Sequence, residues 1–378
     1  PRTLIGLLFK RSGRTLFYTG TTAAKRRYKF YWDRKLGYIL AAAIAGFLGR
    51  SFLVQRLVRR MDLVFSPSGL FFPLIERYCP VLVFSTDVHN DDDVALMQDA
   101  RRRGIPIVGM WRSWDNPTQQ LLRVFPDLLL LGSEELSRET AALHRFPEAR
   151  MLITGHPHYD RYPEGPIRSR EGFSAQWGLN PQKKIILYAA GGNKIIREND
   201  IDQHVIETLG TLEANVIVRY PPGEDIRLVD FTRPSNVAID MPGFRFAARR
   251  GEFEIRREDD DNLIDELYWS DVVISGPTSI LIDGAFLDKP VIAVDFYPVP
   301  RRNPYERSWG YLLDHIKKLL ATGGVWYAGT REDLLKGVAA YLSNPRLHKE
   351  GRAKIRAMWF SHADGGAGRR VAEAVTGF

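Results

Sequence analysis

Several short loops of this chain carry residue types that handle phosphate and sugar. Gly276-Pro277-Thr278-Ser279 follows the apolar run Val272–Ile274 and precedes a helix extending through Leu287. Such a turn aims backbone N–H groups and small hydroxyls at whatever lies beyond the strand, which suits a phosphate. Thr278 or Ser279 is the expected helix cap, and Asp283 follows one turn later. An ordinary strand–helix–strand crossover with a well-capped helix accounts for the same residues. Ala189-Ala190-Gly191-Gly192-Asn193 ends another apolar run, and its glycines permit close approach of a diphosphate. Arg219-Tyr220-Pro221-Pro222-Gly223 supplies a guanidinium able to grip phosphate with two parallel bonds. Asp295-Phe296-Tyr297 offers rings to border a nucleobase. A glycine pair alone makes a turn, and a strand-end arginine alone makes a surface ion pair. Their order across one sheet is the signal.

A second set lies nearer the N-terminus. Trp111-Arg112-Ser113-Trp114-Asp115-Asn116-Pro117-Thr118 combines rings that stack on a sugar with groups that bond it. Asp115 is placed to take a proton from an attacking hydroxyl. The alternative is an Asx-Pro turn with two core tryptophans. Asp87, a second candidate base, shares a loop with His89 and the run Asp91-Asp92-Asp93. Those three acids favour the start of the following helix over a divalent cation. His156 and His158 have no metal spacing supported by other ligands and are expected at a hinge. No metal site is expected.

These loops need a parallel sheet to hold them. Strands are expected at Leu63–Phe65, Val81–Phe84, Ile107–Met110 and Leu128–Leu131, with helices at Asp93–Arg103 and Gln119–Val124. Gly155-His156-Pro157-His158-Tyr159-Asp160, followed by Pro163, Gly165 and Pro166, marks a domain boundary. A second series follows at Lys184–Tyr188, Asn215–Arg219, Asp271–Ser275, Val291–Asp295 and Gly324–Tyr327. Amphipathic helices are expected at Glu332–Leu342 and Arg346–Phe360, and an irregular loop between Met241 and Asp261. Short apolar runs alternating with helices give an α/β chain with parallel sheets covered on both faces. The expected domains are 1–160 and 161–378.

Composition narrows the class. A chain of 378 residues is too long for one core. The single Cys79 excludes a disulfide framework and a cysteine zinc site, and fits a reducing compartment. Residues 1–61 hold 14 Lys or Arg against the lone acid Asp33. The overall charge is +8, so the remainder is mildly acidic. Within the basic segment, Leu36–Leu48 is an uncharged run of 13 residues, short of the ~20 that cross a bilayer. Trp, Tyr and Phe beside Lys and Arg suit a segment lying on an anionic membrane surface. A core helix with a basic outer face is the second reading. A nucleic-acid patch is the third, and no binding motif supports it.

Taken together, these residues resemble a glycosyltransferase of the GT-B architecture, in particular bacterial surface-polysaccharide proteins akin to CDP-glycerol glycerophosphotransferases. The resemblance runs from about Asp62 to Asp295. The family's Arg-x-His-Pro is matched by Arg219-Tyr220-Pro221-Pro222, with the histidine replaced. Its Ser-Asp-x-x-Ile-x-Asp-Tyr-Ser-Ser stretch is similar to Ser270-Asp271 through Pro277-Thr278-Ser279, and its interdomain Gly-x-Pro-x-x-Asp to Gly155, Pro157 and Asp160. The resemblance implies two Rossmann-like domains with a cleft between them, and puts Arg219 and Ser279 at the donor phosphates. A family Trp-His-Gly-Thr-Pro element falls at Trp111–Pro117, where this chain has no histidine and Asp115 is the nearest ionisable group.

The resulting expectation is a metal-independent glycosyltransferase that needs no cofactor beyond its nucleotide-sugar donor. Gly191, Gly192, Arg219, Gly276, Thr278, Ser279 and Asp283 would hold the donor, and Asp115 or Asp87 would act as base. The acceptor would be a lipid-linked or membrane-associated cell-envelope glycan, met at the inner face of the cytoplasmic membrane. The alternatives are a glycerophosphotransferase using a CDP-polyol and a UDP-GlcNAc 2-epimerase-like enzyme. No nucleic-acid partner is expected.

Overall fold

Short runs of Val, Ile and Leu build two parallel sheets in the computed structural model, which describes residues 17–30, 35–66, 69–193, 200–246, 253–297 and 309–378. The chain divides into two compact units. The first comprises 1–163, 312–315 and 357–378, and the second 164–311 and 316–356. The stretch 357–378, at the end of the expected second domain, thus clusters with the first sheet.

The first sheet has the order β1 (Val83–Ser85), β2 (Ile107–Met110), β3 (Leu128–Leu131), β4 (Met151–Ile153). All its pairings are parallel. Ile107, Val108 and Leu129 to Leu131 are fully buried, as strands covered on both faces must be.

The second sheet contains β5 (Ile185–Ala189), β6 (Asn215–Arg219), β7 (Val237–Asp240), β10 (Val272–Ser275), β11 (Val291–Val294) and β12 (Val325–Ala328). A small antiparallel pair, β8 (Phe244–Arg245) and β9 (Phe253–Glu254), stands apart from it. The six strands lie in the order β12-β11-β10-β5-β6-β7, all parallel. Counted along the chain, this is the doubly wound nucleotide-binding order, with its switch point between β5 and β10. Ser275 sits beside Ala189 in that pairing, so the loops leaving β5 and β10 start side by side.

Three expected elements differ. The stretch between Met241 and Asp261, expected as an irregular loop, holds β8, β9 and the first turn of the helix Arg257–Trp269. Leu63–Phe65, expected as a strand, ends the helix Phe52–Phe65. Its buried positions Gln55, Val58 and Asp62 keep helical spacing, and Asp62 is held by Gln98 at 2.9 Å and by Arg123 at 2.9 and 3.0 Å. The helix expected at Gln119–Val124 is instead a single turn, Asn116–Gln119, followed by irregular chain. Side chains take the backbone groups there: the Leu122 N–H donates to His144 Nδ1 at 3.2 Å, and Arg59 Nε donates to the Leu122 carbonyl at 2.8 Å. His144 Nε2 meets the Pro117 carbonyl at 2.9 Å, and complete burial holds its imidazole neutral.

The expected hinge segment has a packing task within the first unit. Both oxygens of Asp160 accept amides at the start of the helix Ala367–Thr376, from Ala367 at 2.8 Å and Gly368 at 2.6 Å. Gly155 has φ +85, and a Cβ there would sit 3.0 Å from the Ala367 Cβ, so only glycine lets the terminal helix dock. Beside it, His156 packs so closely on Gly132 that a Cβ at 132 would collide with its ring.

Candidate active site

In the second unit the two loops at the switch point are built differently. Ser275 donates to the Ala189 carbonyl at 3.0 Å and bonds the Thr278 hydroxyl at 2.8 Å, tying the β10 loop to the end of β5. Thr278 is half-buried and Ser279 is exposed. Ser279 stands at the cap position of the helix Ile280–Phe286, yet its side chain makes no cap bond, contrary to the expectation from sequence. The Thr278 hydroxyl is engaged by Ser275. A Cβ added to Gly276 would meet nothing within 4 Å, so open space lies over this turn. Asp283 is buried in the first helical turn.

The glycine loop after β5 is already occupied by an anion of the protein's own. Asp202, fully buried, accepts the Gly191 amide at 2.9 Å, the Gly192 amide at 3.0 Å and the Tyr188 hydroxyl at 2.6 Å. Burial of the Tyr188 phenol, and after it the neighbouring Asp202 carboxylate, pushes its pKa well above the usual value. Gly192 has φ +75, and a Cβ there would be 2.7 Å from the Pro221 ring. These glycines therefore shape the switch point with their amides satisfied internally.

Arg219, expected to grip a donor phosphate, is buried at the end of β6 with 6% exposure. One Nη lies between Asp240 and Glu266, and the other donates to the Asp259 carbonyl at 2.9 Å. Burial pushes the Glu266 carboxyl well above its usual range, Arg219 opposing and Asp240 adding to the rise. Burial likewise raises Asp240, and Arg219 opposes it. One cation between two buried carboxyls favours a proton kept on Glu266. In this arrangement both Nη groups have partners.

The first unit brings its two candidate bases into one place. An open recess of about 620 Å³ lies at the carboxyl ends of β1 and β2, and Asp87 and Asp115 both line it with Lys25, His89, Arg112 and Gln119. Arg112 Nε is 3.5 Å from Asp87, whose other oxygen accepts the His89 amide at 3.0 Å. Gln119 bridges Lys25 and Asp115, donating to the carboxylate and accepting from the ammonium. Desolvation lowers the Lys25 pKa, and Asp115 opposes the shift.

Lys25 reaches the recess on the helix Gly20–Phe30, which threonines fasten to the Asn116–Gln119 turn. Thr19 donates to the Thr118 carbonyl at 2.8 Å, and the Thr21 and Thr118 hydroxyls are 3.1 Å apart. Asp314 accepts the Thr21 amide at 2.8 Å, so close to Gly20 that a Cβ there would clash. Nothing local to residue 25 announces this placement; the contact to Gln119 spans 94 positions.

The two tryptophans do not serve as a sugar platform. Trp111 is 1% exposed and donates to the Thr140 hydroxyl at 2.8 Å, while Trp114 is 6% exposed. Trp114 meets His315 and Trp359 edge-on, at 4.8 and 5.2 Å between ring centres. The core-tryptophan reading is the one the structure bears out. The run Asp91–Asp93 occupies the first turn of the helix Asp91–Arg102, behind the Asn90 cap.

The family described as CDP-Glycerol:Poly(glycerophosphate) glycerophosphotransferase matches residues 116–377. Gly191, Gly192, Arg219, Gly276, Thr278, Ser279 and Asp283 fall within the match, while Asp87 and Asp115 precede it. No curated protein matches the chain. Among solved structures, the wall teichoic acid polymerase TagF soaked with CDPG is similar at 15% identity and TM-score 0.50, over 79% of this chain and 71% of that one. MnaA of S. aureus, solved with UDP, is similar at 13% identity and TM-score 0.53, over 85% of this chain and 81% of that one. The UDP-GlcNAc 2-epimerase of Neisseria meningitidis, bound to UDP-GlcNAc, is similar at 14% identity and TM-score 0.53, over 96% and 98%. At such identities these likenesses speak for the fold alone, which is the two-domain GT-B type. With more than half of its length matched, the chain belongs to the CDP-glycerol:poly(glycerophosphate) glycerophosphotransferase family, a family of transferases.

Proposed function

We propose that this protein transfers a sugar from a nucleotide-sugar donor to a lipid-linked or membrane-associated glycan of the cell envelope. The observation that carries this reading is the pairing of Asp87 with Asp115 in one open recess at strand carboxyl ends, with no histidine in the Trp111–Pro117 segment. A carboxylate suits removal of a proton from a sugar hydroxyl as the glycosidic bond forms. The donor diphosphate would lie over Gly276, against the Thr278 and Ser279 hydroxyls and the first amides of the helix Ile280–Phe286. Those amides would meet charge developing on the leaving nucleotide without a metal ion. Asp202 and Arg219 would act from behind, fixing the loops that shape the switch point.

Family membership favours a second reading, transfer of glycerophosphate from a CDP-polyol. The two differ in what leaves the donor. Sugar transfer breaks the bond between sugar and phosphate and releases a nucleoside diphosphate. Glycerophosphate transfer breaks the diphosphate itself and releases CMP. The test incubates purified protein with a lipid-linked glycan and a panel of nucleotide sugars, CDP-glycerol and CDP-ribitol, then resolves the nucleotides by chromatography. Diphosphate release that depends on acceptor supports sugar transfer. CMP release establishes the second reading, and interconversion of UDP-GlcNAc with its 2-epimer without acceptor rejects both.

A further inference from the structure

A chain of buried hydrogen bonds inside the first unit ends on the backbone of Asp115. It starts at the Asp314 amide, which donates to the Thr21 hydroxyl at 3.0 Å. The Thr21 and Thr118 hydroxyls are 3.1 Å apart, and the Thr118 hydroxyl donates to the Asp115 carbonyl at 3.1 Å. An amide only donates and a carbonyl only accepts, so the two hydroxyls between them must hand their protons on in one direction. Thr21 is 0% exposed and Thr118 2%, and bonds aligned this way out of water polarise and strengthen one another. The Asp314 carboxylate closes the starting end by accepting the Thr21 amide at 2.8 Å.

Two further contacts join the same turn. His315, the residue after Asp314, meets Trp114 edge-on at 4.8 Å between ring centres. Lys25 follows Thr21 by one helical turn on the same helix face, and its ammonium donates to Gln119, which holds Asp115. Residues 312–315 cluster with the first unit, although the chain on either side of them belongs to the second. That short excursion brings Asp314 to the back of the turn, while Asp87 and Asp115 line the recess.

We infer that Asp314 is a positioning residue for the transfer, holding the Asp115 turn and the Lys25 helix in one register beneath the acceptor hydroxyl. The inference rests on the reading of Asp115 as the base. Asp314 acts through Thr21 and Thr118 and does not touch the acceptor. Its effect is one of distance, since a base displaced by about 1 Å loses up to about a hundredfold in rate. Gln119 cannot do this alone, because it belongs to the same turn, Asn116–Gln119, and moves with it. Gly20 shows how closely the clasp is fitted, for a Cβ there would collide with the Asp314 carboxylate.

The test is a double-mutant cycle on the full chain, read as acceptor-dependent nucleotide release. Asp314→Ala should lower kcat about tenfold to a hundredfold with the donor KM unchanged. Asp314→Asn keeps an oxygen for the Thr21 amide and should restore most of that rate. Thr21→Val, which cuts the chain at its first hydroxyl, should cost about tenfold in kcat, and Thr21→Ser should restore it. In an Asp115→Asn background, Asp314→Ala should cost less than about twofold, because the group it positions is already gone. Equal losses in both backgrounds, or full kcat in Asp314→Ala, overturn the inference and leave Asp115 as the base. Full kcat in Asp115→Asn removes the base reading itself, and the positioning role falls with it. Hydrogen exchange reads the clasp without turnover. Amides of Asn116–Gln119 and of Gly20–Phe30 should exchange faster in Asp314→Ala, and unchanged exchange there also overturns the inference.

Discussion

Arg219 Nη1 lies 3.1 Å from Glu266 Oε2, inside the second unit, and the same nitrogen also holds Asp240. A guanidinium so placed neutralises buried acids from β7 and from the helix Arg257–Trp269. Removing it leaves carboxyls in low dielectric without a partner, which costs about 3–5 kcal/mol. Arg219→Ala is therefore expected to lower the urea midpoint strongly, whatever its effect on donor binding. Glu266→Gln mimics the protonated carboxyl and should cost about 1 kcal/mol or less. Equal losses from the two substitutions would remove the assignment of the proton to Glu266.

Asp202 makes a sharper prediction for the donor loop. Asp202→Ala leaves the Gly191 and Gly192 amides and the Tyr188 hydroxyl without their shared acceptor. Bonds to a charged group contribute about 1.5–3 kcal/mol each at most, so a net loss of several kcal/mol is expected, with weakened nucleotide binding. Asp202→Asn keeps one carbonyl oxygen and should lose about half as much. Isothermal titration with nucleoside diphosphates, beside urea melts, separates the two effects. Full nucleotide affinity in a destabilised Asp202→Ala would show that the loop does not shape the donor site.

The sequence disclosed what repeats locally. Val272–Ser275, Ile107–Met110 and Leu128–Leu131 read as strands because both their faces are covered, leaving an unbroken apolar run. Leu63–Phe65 misled for the opposite reason: that helix turns its apolar residues outward, so periodicity no longer reports the core. Met151–Ile153 was too short and too exposed to stand out. The loops carrying Gly276–Ser279, Gly191–Gly192, Asp87 and Asp115 were legible because each follows a strand. Their partners were not. Arg219 meets acids 21 and 47 positions away, and Lys25 reaches Gln119 only because threonines dock its helix. Local pattern shows where a charged group sits, while burial decides whether it serves a ligand or the fold.

The recess of the first unit gives two candidate bases and one outcome that distinguishes them. Asp115 is positioned by Gln119, and Asp87 is paired with exposed Arg112. Asp115→Asn should reduce kcat about 10²–10⁴-fold at little cost in stability if it removes the acceptor proton. Asp87→Asn should then act mainly on acceptor KM. The reverse pattern would move the base to Asp87, and retained kcat in both variants would remove the recess from the chemistry. Rates of acceptor-dependent nucleotide release, with melting temperatures as control, decide among these.

His156 makes the first unit sensitive to acid. Its ring is buried with Nε2 lacking a hydrogen-bond partner, and burial first, then His158, lowers its pKa from 6.5 to about 4. Below pH 6.5 the unfolded chain takes up a proton that the folded imidazole refuses, so stability is complete above that value and declines until about pH 4. The whole shift amounts to about 3 kcal/mol. Buried His144 shifts in the same direction and adds to the loss. Urea midpoints should therefore fall steadily from about pH 7 to about pH 4.5. His156→Gln titrates nowhere in that range, so its midpoints should fall less steeply, even if its stability at neutral pH is lower. Parallel pH profiles for the two proteins would show that this imidazole takes up its proton equally in the folded and the unfolded chain. The packing of His156 on Gly132 would then have to be relaxed enough to admit water.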